Sequence, residues 1–114
     1  MTGEINPIDA IFSELDEFEI RLRESDGRLQ FYPRDRLSPE LLARLRAFKP
    51  TVILRYRVRC ELDRLQRHDS DRAGRLREDW LERLAICQVN GGTAEACELV
   101  AYESLMDALA ASAF

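Results

Sequence analysis

Apolar and polar residues alternate along two short neighbouring segments in the first third of the chain, residues 18–23 and 28–32. The apolar positions are Phe18, Ile20 and Leu22 in the first segment and Leu29 and Phe31 in the second. A period of two is typical of β-strands that bury one face. Asp26-Gly27 between the segments is typical of a two-residue hairpin turn. The pattern therefore predicts a β-hairpin with one apolar face and one polar face.

Helical spacing occurs on both sides of the predicted hairpin. After Asn6-Pro7, apolar residues recur at helical intervals, and the cap chemistry of this dipeptide predicts a helix start. Ser38-Pro39 repeats that chemistry and predicts a second helix. The apolar stripe of the second helix comprises Leu41, Leu42, Leu45 and Phe48. Because proline lacks an amide donor, Pro50 predicts a break or kink, with a new helix from Thr51.

The second half of the chain is predicted to be entirely helical. Apolar positions from Leu54 to Cys87 step by four, four and three residues, which fits one long helix. The polar residues 68–71 also fit a break, with Asp69 or Ser70 capping a second helix. Asn90-Gly91-Gly92 predicts a helix end, and Thr93 predicts the cap of a last helix. The inward positions of the last helix are predicted to be Cys97, Val100, Ala101, Leu105 and Leu109.

The whole pattern predicts a mostly helical α+β fold in two domains. Residues 1–57 are expected to form a helix–β-hairpin–helix–helix unit. Residues 58–114 are expected to form a helical extension, with a long or broken helix followed by a C-terminal helical hairpin. Since a chain of 114 residues buries only a modest core, we expect a homodimer that covers leftover apolar surface.

Charge is segregated along the chain behind a net charge of −4. Residues 1–19 contain six acidic residues and no Lys or Arg, whereas residues 20–77 contain sixteen Lys or Arg against eight acidic residues. Residues 78–114 contain seven acidic residues and one basic residue. The basic middle is suited to an anionic partner, and the acidic ends to shielding it or to pairing with a neighbouring subunit. The alternative explanation is that these charged residues lie on solvated helix faces and bind no partner.

Residues 8–57 resemble the TubC-like N-terminal docking domains of polyketide and nonribosomal peptide assembly lines. The resemblance is carried by order and spacing together. The matching elements are Glu19-Ile20-Arg21-Leu22, Ser25-Asp26-Gly27-Arg28-Leu29, Leu37-Ser38-Pro39-Glu40-Leu41, Phe48-Lys49-Pro50 and Val52-Ile53-Leu54. The resemblance implies a homodimer that receives a short C-terminal segment of a partner protein at an exposed hairpin.

This resemblance identifies the polar side of the hairpin as the candidate partner-binding site. The residues are Arg21, Arg23, Arg28, Gln30 and Tyr32, with Arg34 and Arg36 beside them. An edge strand offers unpaired backbone groups to an incoming peptide, and arginines favour an acidic one through forked hydrogen bonds. Arginines at an edge also protect against aggregation, which is the alternative explanation of the same residues. The function we expect is non-enzymatic docking of a short acidic segment.

Nucleic-acid association is the alternative function. Arginines are frequent between residues 55 and 77, and contacts to phosphates supply affinity without sequence preference. The candidate contacts are Arg55, Arg57, Arg59, Arg64 and Arg67. The C-terminal tail resembles short helical ends of phage- and plasmid-encoded accessory proteins. The sequence pI of about 5.1 and the interleaved Glu61 and Asp63 argue against this alternative.

The sequence contains no pattern typical of an enzyme or a cofactor site. His68, the single histidine, lies in a polar stretch without a partner for nucleophilic catalysis. Together with Cys60, Cys87 and Cys97 it lacks the paired spacing of a zinc site, so no metal is expected. Cys87 and Cys97 flank the predicted Gly-Gly turn, where we expect burial rather than a disulfide. No signal peptide and no apolar run of membrane-spanning length is evident, which predicts a cytoplasmic protein with reduced thiols.

Overall fold

The computed structural model describes residues 6–111, which contain five α-helices, one 3-10 helix and one two-stranded antiparallel sheet. In chain order the elements are α1 (Pro7–Glu17), β1 (Arg21–Ser25), β2 (Arg28–Tyr32), the 3-10 helix Arg34–Arg36, α2 (Pro39–Ala47), α3 (Lys49–His68), α4 (Ser70–Val89) and α5 (Ala94–Ala111). The predicted mostly helical α+β fold is confirmed. The N-terminal residues 1–5, for which we expect no targeting segment, and the final residues 112–114 lie outside the described part.

The chain divides into two compact units, Met1–Tyr56 and Arg57–Phe114, called here the first and the second unit. In the first unit, α1, α2, the hairpin and the start of α3 enclose one apolar core. Its buried members are Ile8, Ile11, Phe12, Leu15, Ile20, Leu41, Leu45 and Val52. Arg44 on α2 donates a hydrogen bond to the Glu14 carboxylate on α1, which raises the pKa of Arg44 and joins the two helices.

The second unit has a separate core between the later part of α3 and the helical hairpin of α4 and α5. Its buried members are Val58, Leu62, Trp80, Leu84, Cys97, Ala101 and Leu105. Of the predicted stripe along α3 and α4, the members that belong to this core or pack against it are Val58, Leu62, Leu76, Trp80, Leu84 and Cys87. On α5 the prediction for Val100 is wrong, because its side chain is 50% exposed while Glu98 is buried.

The predicted helix starts are occupied by the expected caps. Asn6 Oδ1 accepts a hydrogen bond from the Ile8 amide at 2.8 Å, and Ser38 Oγ accepts one from Leu41 at 3.1 Å. Asp69 accepts one from the Arg72 amide at 3.1 Å and separates α3 from α4. The broken form of the long helix is thus the one present. Each cap satisfies an amide that the first turn of its helix leaves without a partner.

The first strand begins later than predicted. Phe18 caps the C-terminus of α1 and is 46% exposed, and Glu19 adopts the left-handed backbone with φ 54°. The amide of Ile20 bonds to Leu15 O at 2.8 Å, so the chain turns before it enters β1 at Arg21. This is a Schellman helix end, with Ile20 and Leu15 both buried as its apolar pair. Glutamate occupies the position where glycine is usual, which is why the sequence pattern did not indicate the turn.

Candidate protein-binding surface

The hairpin has a tight turn and a single register. Arg21 pairs with Tyr32, Arg23 with Gln30, and Ser25 with Arg28. Asp26 and Gly27 both have positive φ, at 52° and 79°, as a type I′ turn requires. Within residues 6–111 the sheet contains these two strands alone, so each strand keeps one edge that pairs with no further strand.

Exposed and half-buried residues alternate along both strands. The exposed face carries Arg21, Arg23 and Ser25 from β1 and Arg28, Gln30 and Tyr32 from β2. Tyr32 is 77% exposed and lies directly across from Arg21. An exposed aromatic ring beside a guanidinium is a common composition of protein-binding surfaces, because both groups contribute strongly when an interface buries them.

A groove of about 650 Å³ lies at the end of the hairpin remote from its turn. We call it the hairpin groove. Its lining consists of Arg21, Leu22, Arg23, Gln30, Phe31, Tyr32, Arg34 and Tyr56. Five of the residues predicted for partner binding are therefore brought together in one concave surface.

The other two predicted residues lie outside the hairpin groove. Arg28 is exposed beside the turn, opposite Ser25. Arg36 belongs to the 3-10 helix, where its Nη1 atom donates a hydrogen bond to Phe18 O at 3.3 Å and lies 3.5 Å from Glu19 Oε2. Arg36 thereby holds the end of α1, so its side chain already has a structural role.

A second groove, of about 440 Å³, lies between the half-buried face of the hairpin and α2. We call it the apolar groove. Its lining consists of Leu29, Phe31, Arg34, Leu37, Leu42, Leu45, Arg46 and Lys49. The floor is aliphatic and aromatic, and three cations surround it. Phe31 and Arg34 line both grooves, which makes the two grooves neighbours in the first unit.

The charged residues that line the two grooves are all basic. Among the described residues, no Asp or Glu lines either groove, whereas Arg21, Arg23 and Arg34 line the first and Arg46 and Lys49 border the second. Cations clustered without carboxylates produce a positive potential that attracts acidic segments. Sequence reasoning did not assign Arg46 and Lys49, because their position depends on how α2 packs beside the hairpin.

One of the five arginines considered for nucleic-acid contact is buried. Arg55 is buried at 7% exposure, and its Nη1 atom lies 2.6 Å from Asp9 Oδ1 inside the first unit. It is therefore removed from the candidate nucleic-acid contacts. The remaining candidates, Arg57, Arg59, Arg64 and Arg67, are exposed on α3. Of these, Arg64 pairs with Glu61 of the same helix at 3.2 Å, so part of the positive charge is neutralised locally.

The described residues contain no group of three or more His, Cys, Asp or Glu side chains placed to hold a metal ion. His68 is exposed at the end of α3. In residues 6–111 no helix combines the length and the apolar character that crossing a membrane requires.

No protein-family model, curated protein or solved structure matches this chain. The resemblance to TubC-like docking domains accordingly stays a prediction.

Proposed function

We propose that this protein is a non-enzymatic docking module that receives a short acidic segment of a partner protein at its hairpin. The proposal extends to a cytoplasmic location and to a homodimer. The observation that carries it is the hairpin groove, where three arginines and an exposed tyrosine converge beside an available strand edge. This composition favours binding over chemistry, since it lacks a nucleophile paired with a base.

The strand edge supplies the first part of the interaction. A peptide that adds to a sheet edge gains backbone hydrogen bonds irrespective of its side chains. Side chains at alternate positions of the same peptide then face Arg21 and Arg23, which alternate in the same way along β1. Carboxylates at those positions gain forked, charge-assisted hydrogen bonds.

The apolar groove supplies the second part. Leu29, Phe31 and Leu42 offer a floor for bulky aliphatic or aromatic side chains, and Lys49 lies at its border. A segment that contains both carboxylates and large apolar side chains fits this pair of grooves better than a uniformly acidic one. Burying such anchors contributes about 25 cal/mol per Å² of apolar area.

Homodimerisation is supported by apolar side chains that the second unit leaves in contact with solvent. Leu81 and Val89 on α4 and Leu99 on α5 are all at least 47% exposed. A second copy that covered part of this surface would remove it from water. Sedimentation equilibrium over a range of protein concentrations measures this association, and a monomer at all concentrations would contradict the dimer.

A displayed random-peptide library tests the docking proposal without knowledge of the partner. The full-length protein is immobilised, binding peptides are selected and sequenced, and the affinity of a selected peptide is measured by fluorescence anisotropy. We expect enrichment of Asp and Glu together with bulky apolar residues. In the double variant Arg21→Glu/Arg23→Glu, the selected peptide should bind about tenfold to a hundredfold more weakly, because two charge-assisted contacts become repulsive.

The matched control is Arg64→Glu/Arg67→Glu, which makes the same charge change on exposed residues of α3. This variant should bind the selected peptide as the original protein does. The same two variants, titrated with a DNA duplex, test the alternative function. DNA binding that is lost in the α3 variant and retained in the hairpin variant, with no acidic peptides selected, would refute docking and favour nucleic-acid association.

A further inference from the structure

The turn between α4 and α5 is a complete Schellman helix end. Asn90 caps α4, and Gly91 follows in the left-handed conformation with φ 84°. The amide of Gly91 bonds to Gln88 O at 3.0 Å, and the amide of Gly92 bonds to Cys87 O at 2.9 Å. These two bonds place the backbone of Gly92 over the last turn of α4, next to Cys87.

Gly92 also borders a second cysteine. A β-carbon built on Gly92 would lie 2.5 Å from Cys87 Sγ and 3.0 Å from Cys97 Sγ, so both sulfur atoms adjoin the same point. Because both lie within 3.0 Å of that point, the two sulfur atoms are at most about 6 Å apart. A Schellman end usually places an apolar side chain at the position of Gly92, against the residue that is Cys87 here. In this chain the pair of sulfur atoms occupies that space instead.

The two thiols differ in their access to solvent. Cys87 lines an open hollow of about 360 Å³, together with Arg83, Ile86, Asn90, Gly92 and Val100. Cys97 is fully buried on α5, and this burial, followed by the influence of the neighbouring Cys87, raises the pKa of its thiol to about 11. A small molecule in the hollow therefore reaches Cys87, whereas Cys97 is closed to it.

We propose that Cys87 and Cys97 are a modification site, a dithiol that is oxidised reversibly to a disulfide by a low-molecular-weight disulfide such as oxidised glutathione. The Cys87 thiolate attacks one sulfur of the oxidant, forms a mixed disulfide and releases one glutathione thiolate, which takes up a proton. Cys97 then loses its proton to solvent, and its sulfur attacks Cys87 Sγ and releases the second glutathione. The protein loses two hydrogen atoms, and the oxidant is reduced to two thiols.

The bond would join α4 to α5 at the point where the chain already reverses direction. Both sulfurs adjoin the same point beside Gly92 in the reduced fold, and such proximity is what disulfide formation requires. Cys60, the remaining cysteine, lies on α3 and is half-buried. It serves as an internal reference for general thiol oxidation.

The test uses the full-length protein, fully reduced, and equilibrated in buffers with increasing ratios of oxidised to reduced glutathione. Samples are quenched with acid and alkylated, and their intact mass and non-reduced peptide maps are recorded. We expect one species that lacks the mass of two hydrogen atoms, contains the linked Cys87 and Cys97 peptides, and is alkylated at Cys60 alone. Reducing the ratio again should restore three alkylated thiols.

Three variants decide between this site and unspecific oxidation. Cys60→Ser should form the disulfide as the original chain does, whereas Cys87→Ser should leave Cys97 reduced. Gly92→Ala should lower the disulfide yield, because its β-carbon would displace the Cys87 side chain. A lasting glutathione adduct on Cys87, links that involve Cys60 or a second chain, full reduction in every buffer, or an undiminished yield in a folded Gly92→Ala variant would each overturn the proposal.

Discussion

The ion pair between Asp9 on α1 and Arg55 on α3 is unequally buried, and this predicts an unequal response to mutation. Arg55 Nη1 lies 2.6 Å from Asp9 Oδ1, and the side chains are 8% and 55% exposed, respectively. The guanidinium also lies 6.0 Å from the centre of the Phe12 ring. Removing the arginine leaves a carboxylate that water can solvate. Neutralising the aspartate instead removes a carboxylate that lies 2.6 Å from a buried cation.

The magnitudes follow from these exposures. Arg55→Met removes a charge-assisted hydrogen bond worth about 1.5–3 kcal/mol and a distant cation–π contact worth roughly 0.5 kcal/mol. Burial of the methionine side chain and hydration of Asp9 offset part of this loss. We therefore expect Arg55→Met to lower the opening free energy by about 1 kcal/mol. Breaking a fully buried pair by removing one partner costs about 3–5 kcal/mol. Because Asp9 is half exposed, we expect a smaller effect, in which Asp9→Asn lowers the opening free energy by about 2–3 kcal/mol.

Hydrogen exchange followed by mass spectrometry measures the opening free energy of α1 and of the start of α3 in each variant. Trp80 lies in the second unit, so its fluorescence during urea unfolding reports on that unit. Glu19→Gln is the matched control in the first unit. It makes the same chemical change at an 83% exposed carboxylate that lies 3.5 Å from Arg36, and should alter the opening free energy by less than about 0.5 kcal/mol.

The double variant Asp9→Asn/Arg55→Met completes the test. It should be about as stable as Arg55→Met alone, because the buried cation that made Asp9→Asn costly is gone. An Asp9→Asn variant that is less destabilised than Arg55→Met would refute the reasoning from unequal burial. A double variant whose loss of opening free energy equals the sum of the two single losses would also refute this reasoning.

Three further predictions concern single positions. Glu19→Gly should stabilise the first unit by about 0.5–1 kcal/mol in hydrogen exchange, because Glu19 has φ 54° and glycine adopts this conformation without strain; a loss of stability would contradict the Schellman end. Asp69→Ala should destabilise the second unit by about 1 kcal/mol in urea unfolding followed by Trp80 fluorescence, because it removes the N-cap of α4; an unchanged midpoint would contradict that role. The third prediction concerns the buried Cys97 thiol, whose folded-state pKa is about 11. Since this folded-state pKa is raised above the ordinary value of 9.0, the contribution of Cys97 to stability is present below pH 9 and is lost as the pH rises towards 11, which urea unfolding across that range measures.

Local chemistry made much of the fold predictable from the sequence. Asn6, Ser38 and Asp69 each accept the amide hydrogen bond that a helix start leaves open, and such a bond depends only on residues two or three positions away. The Asp26-Gly27 turn is predictable for the same reason. Glu19 shows the limit, since a glutamate at positive φ is held there by the buried pair of Leu15 and Ile20 rather than by its own preference.

The site was predictable only in part. Alternation along the strands identified the exposed arginines, because it depends on position within a strand. The apolar groove was not predictable, since Leu37, Leu42 and Lys49 become neighbours of the hairpin only when α2 packs. Arg55 was assigned to a solvent-exposed surface because a charged residue on a helix usually lies there. Its burial depends on Asp9, which is distant in sequence.

An NMR titration of the isotope-labelled protein with a selected acidic peptide tests the central claim most directly. Docking at the hairpin predicts amide shift changes confined to residues 21–49 and Tyr56, and new protection from exchange along one outer strand edge. It also predicts that the changes weaken as salt is added, because exposed charges carry part of the affinity. Shift changes centred on residues 57–68 or on the helical hairpin of the second unit, with the strands unaffected, would contradict the account.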